Sequence, residues 1–106
     1  MYIRVNIQRR EFTWDPIKSD RNLVDRGFDF AFATGIFDAP TLERVDARRN
    51  YGEHRRIAIG RTDGVVLTVV FTDRSLPGGY TARRIISARL SNRHERRLYA
   101  STCPEV

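Results

Sequence analysis

The densest run of groups able to hold an anion is Arg83-Arg84-Ile85-Ile86-Ser87-Ala88-Arg89, with Arg93, Arg96 and Arg97 close behind it. A guanidinium is a planar fork of donors that fits a phosphate or carboxylate two bonds at a time. On a regular strand Arg83, Ile85, Ser87 and Arg89 share one face, and Arg84, Ile86 and Ala88 the other. Arg84 and Arg89 can therefore serve one site only if Arg89 has left the strand. Arg61, just after Ile59-Gly60, is a further cation, and Lys18 is the sole lysine. Groups suited to moving protons are Tyr99, three residues after Arg96, and His54 beside Glu53. Metal chemistry is not expected, since His54 and His94 lie far apart and Cys103 sits near the C-terminus, with no ligand spacing among them. Gly78-Gly79 follows Pro77 and reads as a plain turn, not a phosphate loop. No cofactor is implied. The plain alternative for the arginines is a solvated sheet edge followed by a soluble helix face.

Elements that must position these groups follow from the apolar spacing. Met1, Ile3, Val5 and Ile7 alternate with polar residues, as a strand does, and Glu11 to Trp14 continues it or forms a second short strand. Asp15-Pro16 starts a helix that runs to about Arg26, with Ile17, Leu23 and Val24 facing inward and Gly27 as its left-handed cap. A second helix covers Phe30 to Phe37 and stops at Asp38-Ala39-Pro40. Thr41 to Val45 is a weak strand, and Arg55 to Gly60 a clearer one. Thr62-Asp63-Gly64 is a hairpin turn into Val65 to Phe71, whose β-branched run marks a strand buried on both faces. Tyr80 to Ala88 is the next strand. A C-terminal helix starts near Ser91 or Asn92, with the spacing of Asn92 to Glu95 fitting a capping box, and ends near Ala100, leaving residues 101–106 frayed. Helices first and a meander of strands after them predict an α+β domain.

The chain has 106 residues, 41% of them apolar and 30% charged, which excludes a disordered polymer and fits one domain. No apolar run approaches a membrane span, and the N-terminus has no apolar signal core, so a cytoplasmic protein is expected. Nineteen basic residues, eighteen of them Arg, against thirteen acidic ones give a net charge of +6. Residues 74–106 hold seven Arg and only two acids, so most of the surplus falls in the last third. Such a patch suits a polyanion or an acidic protein. A GC-rich genome would also favour arginine codons.

Several pieces, in order, resemble the BrnT toxin family: Phe12-Thr13-Trp14-Asp15-Pro16, Lys18 with Asn22, Gly27 with Phe30, Phe37-Asp38-Ala39-Pro40, Gly52-Glu53-His54-Arg55-Arg56 with Ile59-Gly60, Arg84-Ile85-Ile86-Ser87-Ala88-Arg89, and Glu95-Arg96 with Tyr99. They span about residues 12–99, so residues 1–106 are expected to form a single such domain with residues 1–11 as an extension. One departure stands out. Asp25-Arg26-Gly27 occupies the place of the family's Lys-His-Gly, so the role of that histidine is lost or passes to Arg26.

The resemblance implies a RelE-like fold: an antiparallel sheet of four to five strands packed by two N-terminal helices, with a C-terminal helix. It implies a ribonuclease toxin that cuts RNA without a metal, inhibits translation and growth, and is neutralised by a BrnA-like antitoxin. Operator DNA would be reached only through that antitoxin. On this view Arg84, Arg89, Tyr99, His54 and Glu53 are the catalytic candidates. Arg61, Arg83, Arg93, Arg96, Arg97 and Lys18 are the RNA-binding ones. The rival expectation is a non-catalytic RNA- or protein-binding module derived from the family.

Overall fold

In the computed structural model, which describes residues 1–7 and 10–103, six strands form one sheet in the order β1-β3-β4-β5-β6-β2. The strands are β1 (Ile3–Val5), β2 (Glu11–Trp14), β3 (Thr41–Val45), β4 (Arg56–Thr62), β5 (Val65–Ser75) and β6 (Thr81–Leu90). Three helices accompany them: α1 (Pro16–Arg26), α2 (Phe30–Ala33), which runs on as a 3₁₀ turn over Thr34–Asp38, and α3 (Arg93–Thr102). The α+β class expected from the sequence is present, but the sheet is larger and mixed. β3 to β6 form the antiparallel meander, while β2 lies parallel to β6 and β1 antiparallel to β3 at the other edge. Among the described residues no helix is long and apolar enough to cross a membrane.

Local signals explain the central strands. Asp63 and Gly64, both at positive φ, make the two-residue turn that a tight hairpin needs, and Thr62 pairs with Val65 across it. In β5, Leu67, Val69 and Phe71 are fully buried. They meet α2 and the 3₁₀ turn through Ala33, Ile36 and Phe37, with Phe37 edge-on to Phe71 at 5.4 Å. Each such side chain contributes roughly 1.5–3 kcal/mol on leaving water. A smaller cluster of Leu42, Ile59, Tyr99 and Cys103 forms on the opposite face, beneath α3.

Helix α1 corrects its expected orientation. Its caps are as expected, with the Asp15 carboxylate accepting from the Ile17 N–H at 2.9 Å and Gly27 at φ 86°. Yet Ile17 is 70% and Val24 82% exposed, and the buried residues are Ser19 and Asn22. The chain turns into α2 directly beneath α1, and its backbone polar groups need partners there. The Ser19 hydroxyl accepts from the Phe30 N–H, and Asn22 Nδ2 donates to the Phe28 carbonyl. Arg26 donates to the Ala88 carbonyl at 2.7 Å, bracing β6. The polar stripe at positions 19, 22 and 26 is therefore the one that faces the protein.

Gly60 sits where β4 passes under the 3₁₀ turn. A Cβ there would lie 2.6 Å from the Ile36 Cβ and 3.1 Å from the Thr41 Cγ2. Gly60→Ala is expected to lower stability by roughly 1–3 kcal/mol through overpacking, read as a lower urea midpoint at unchanged m-value.

Candidate functional site

A β-bulge decides which arginines meet. Val70 of β5 pairs with Ser87 but Phe71 pairs with Ile85, so Ile86 is an extra residue in β6. β5 itself is unbroken there, and Thr68, Val70 and Thr72 share its α3-side face. Their partners in β6 are Arg89, Ser87 and Arg84. The bulge shifts the alternation by one, so Arg84 and Arg89 stand on the same face while both remain in the strand. The condition that Arg89 leave the strand is replaced by this simpler device. Four strand steps of β5 separate their partners, which puts the two Cα atoms roughly 13 Å apart.

Register extends this face across the sheet. One row runs Arg44, Ile57, Val70, Ser87 and a second Leu42, Ile59, Thr68, Arg89. Helix α3 covers the Leu42–Ile59 end with Tyr99, Cys103 and Leu98. What remains open is a hollow of about 100 Å³ with an apolar and hydroxyl floor and with Arg44, Arg48, Arg89 and Glu95 on its walls; Arg84 lies on the same face but does not line it. Arg44 stacks on the Tyr2 ring at 5.0 Å, and Arg48 is paired with the Asp46 carboxylate at 2.7 Å. The Arg48 hydrogen bonds hold the Asp46 pKa down to about 2. Arg84 is half-buried and, among the described residues, has no hydrogen-bond or ion-pair partner. Beside it, the Thr72 hydroxyl donates to the His54 carbonyl at 2.7 Å, which brings the His54 backbone to the Arg84 end.

At the other end, Arg89 donates through Nη1 and Nη2 to the two Glu95 oxygens at 2.8 and 2.9 Å. Glu95 also accepts from the Asn92 N–H, while its own N–H donates to the Asn92 side chain, which completes the capping box of α3. Burial alone would raise the Glu95 pKa, but hydrogen bonds from Arg89 and the Asn92 backbone outweigh it and lower it. A depressed carboxyl lets the unfolded chain bind protons first as pH falls. The stabilisation from Glu95 is therefore complete above its ordinary value near 4.5 and is lost as pH drops through the lower folded value. Urea midpoints should fall from pH 5 toward pH 3, and Glu95→Gln should flatten that slope.

Several expected site residues stand elsewhere. Arg83, expected on an RNA-facing surface, is 5% exposed on the α1–α2 side of the sheet. It is paired with Asp73 at 2.8 and 3.0 Å and lies over the Phe71 ring at 3.9 Å, so its charge is spent inside the fold. Tyr99 is 2% exposed beneath α3, with its hydroxyl donating to the Pro40 carbonyl and the Arg61 guanidinium over its ring. Burial pushes its pKa up. Glu53 is held by Arg55 and Arg74. Lys18 is exposed on α1, on the far side of the sheet from the hollow. Arg93, Arg96 and Arg97 are exposed on α3, where Arg96 donates to the Ser91 carbonyl. Cys103 is buried against α3's cluster rather than lying in a loose tail. The rest of that expected tail, 104–106, lies outside the described residues.

Sequence reasoning missed Arg44, Arg48 and Glu95 as groups of this face. The signal for Arg44 was its alternation with Leu42 in β3, and that for Glu95 was its capping-box spacing. Among the described residues, no three carboxylate, imidazole or thiol groups converge as metal ligands would.

No curated protein matches the chain. A family model described as "Ribonuclease toxin, BrnT, of type II toxin-antitoxin system" matches residues 14–95, from the end of β2 through the first turn of α3, and the chain therefore belongs to that family.

Proposed function

We propose that the protein is a metal-independent endoribonuclease with a RelE-like fold, and that its open arginine face is where RNA is cut. Membership of a type II toxin family already implies RNA targets and an antitoxin partner. The observation that carries the assignment to this face is the bulge that sets Arg84 and Arg89 on one side of β6, flanking Ser87. Cleavage by an RNA 2′-hydroxyl attacking its neighbouring phosphate needs cations on the phosphorane, a base for the hydroxyl and an acid for the leaving 5′-oxygen. Arg84 and Arg89 supply the cations. Arginine keeps its proton at neutral pH, so proton transfer falls to another group. We favour His54, an exposed residue whose carbonyl is held by Thr72 beside Arg84, over Tyr99, whose hydroxyl is committed to Pro40, and over Glu53, committed to two arginines. Arg93 and Arg97, exposed on α3, extend the positive surface along which the strand would lie.

A BrnA-like antitoxin would silence the enzyme in the cytoplasm by covering this face, and operator DNA would be bound through the antitoxin alone. The test is expression with and without a cognate antitoxin, followed by RNA integrity. Growth arrest with fragmented RNA, insensitive to a chelator and relieved by the antitoxin, is expected. Intact RNA with salt-sensitive RNA binding would instead favour a non-catalytic binding module.

A further inference from the structure

We propose that Glu95 is a positioning residue that fixes Arg89 so that one edge of its guanidinium is held ready for an RNA phosphate, a proposal that rests on the RNA-cleaving reading of the arginine face. A guanidinium has five N–H donors arranged along its edges. Glu95 takes one from Nη1 and one from Nη2 at 2.8 and 2.9 Å, and the Leu90 carbonyl takes another from Nη1 at 3.3 Å. The carboxylate thus occupies the end of the fork. Among the described residues Nε and the second Nη2 hydrogen have no partner, and together they form the side edge, which matches two oxygens of a phosphate. The Arg89 side chain is 46% exposed while that of Glu95 is 9% exposed, so the pair presents its cation to solvent and keeps its anion inside.

The anion is itself immobilised. Glu95 occupies the third position of α3, and its carboxylate is pinned to the Asn92 N–H at 2.8 Å as part of the capping box. The backbone of α3 therefore fixes the carboxylate, the carboxylate fixes Arg89, and Arg89 reaches the hollow already oriented. An unpinned arginine would have to surrender rotamer freedom on binding; a pinned one has done so on folding. The cost is partial neutralisation, so Glu95 favours a ligand that needs geometry over one that merely needs charge.

Three variants test this, with kcat and KM for a short RNA and the Kd for the same oligonucleotide carrying 2′-deoxy linkages, which it cannot cleave. Glu95→Gln retains an oxygen for the Asn92 N–H but offers Arg89 an amide in place of one carboxylate oxygen. It is expected to cut kcat about tenfold and weaken the uncleavable strand several-fold, despite removing a negative charge from the face. Arg89→Lys, which cannot present two edges, should show the same pattern. Asn92→Ala removes the cap bond from its side chain and should lower the melting temperature while leaving kcat per folded molecule close to wild type. Tighter binding by Glu95→Gln at undiminished kcat would overturn the proposal, because charge alone would then be what Arg89 supplies. So would equal losses of kcat in Glu95→Gln and Asn92→Ala, which would make Glu95 a helix cap and nothing more. If the wild type binds the uncleavable strand without cutting RNA, the ribonuclease reading fails, and the Kd comparison still decides the role of Glu95.

Discussion

Arg84→Ala is expected to reduce RNA cleavage about a hundredfold or more, and the Arg84→Ala, Arg89→Ala double variant to abolish growth arrest. Removing one donor aimed at developing negative charge typically costs a factor of 10²–10³. Arg84 is the cleaner of the two positions. It has no ion-pair partner among the described residues, so its removal leaves no carboxylate orphaned and the melting temperature should hardly move. Arg89→Ala strips the charge partner from Glu95, which is largely buried, so that variant should lose stability as well as activity. The double variant should retain the antiparallel meander, because both side chains project from the face opposite the main core. The measurements are initial cleavage rates normalised to folded protein, and colony formation on induction. Rates within twofold of wild type for both single variants would remove these residues from the site.

Arg83→Ala is expected to do the reverse: to destabilise strongly while leaving RNA affinity per folded molecule unchanged. Arg83 and Arg84 are adjacent in sequence and on opposite faces of the sheet, so the pair makes an internal control. Arg83 carries two hydrogen bonds to Asp73 and lies over the rings of Phe37 and Phe71. Deleting it leaves Asp73 paired with Arg10, at 3.4 Å, and opens space against two core aromatics. Losing a 6%-exposed arginine from its pair with a 30%-exposed carboxylate costs on the order of 2–3 kcal/mol. That is a large share of the stability of a small domain and corresponds to a fall in melting temperature of roughly 10–20 °C. Calorimetry and oligonucleotide binding on the same preparations separate the two effects. A variant with normal melting and weakened RNA binding would place Arg83 on the wrong face.

Much of the fold was legible because it rests on local chemistry. Asp15-Pro16 and Gly27 bound α1, Asp63-Gly64 turns the hairpin, and Asn92 with Glu95 caps α3. The strands of the meander follow from their apolar runs. What escaped has no local signature. β1 and β2 are short, and nothing in their own residues says that one joins β3 and the other lies parallel to β6. The inward face of α1 was misread because polarity is a poor guide where buried backbone needs hydrogen bonds, as Ser19 and Asn22 show.

The site was half legible for a related reason. Alternation counted from Arg83 gives the wrong partners beyond Ile86, since the bulge is visible only in the register with β5. It sets two arginines that simple alternation divides between faces on the one face that carries Ser87. Arg44 reaches the same face from β3 through two intervening strands, a relation that no spacing within one segment can reveal. Tyr99 shows the opposite error, where a motif position suited to proton transfer proves to be committed to packing α3 onto β3 and β4.

On this account RNA is expected to lie on the α3 side of the sheet, across β5 and β6. Backbone amide shifts of the labelled protein, titrated with an oligonucleotide carrying uncleavable 2′-deoxy linkages, test it most directly. Perturbations should cluster at Arg44, Thr68, Ser87 and Arg89 and at the His54–Thr72 junction, with Lys18 and the rest of α1 silent. Shifts centred on α1 and α2, with Thr68 and Ser87 unmoved, would contradict that placement of the RNA.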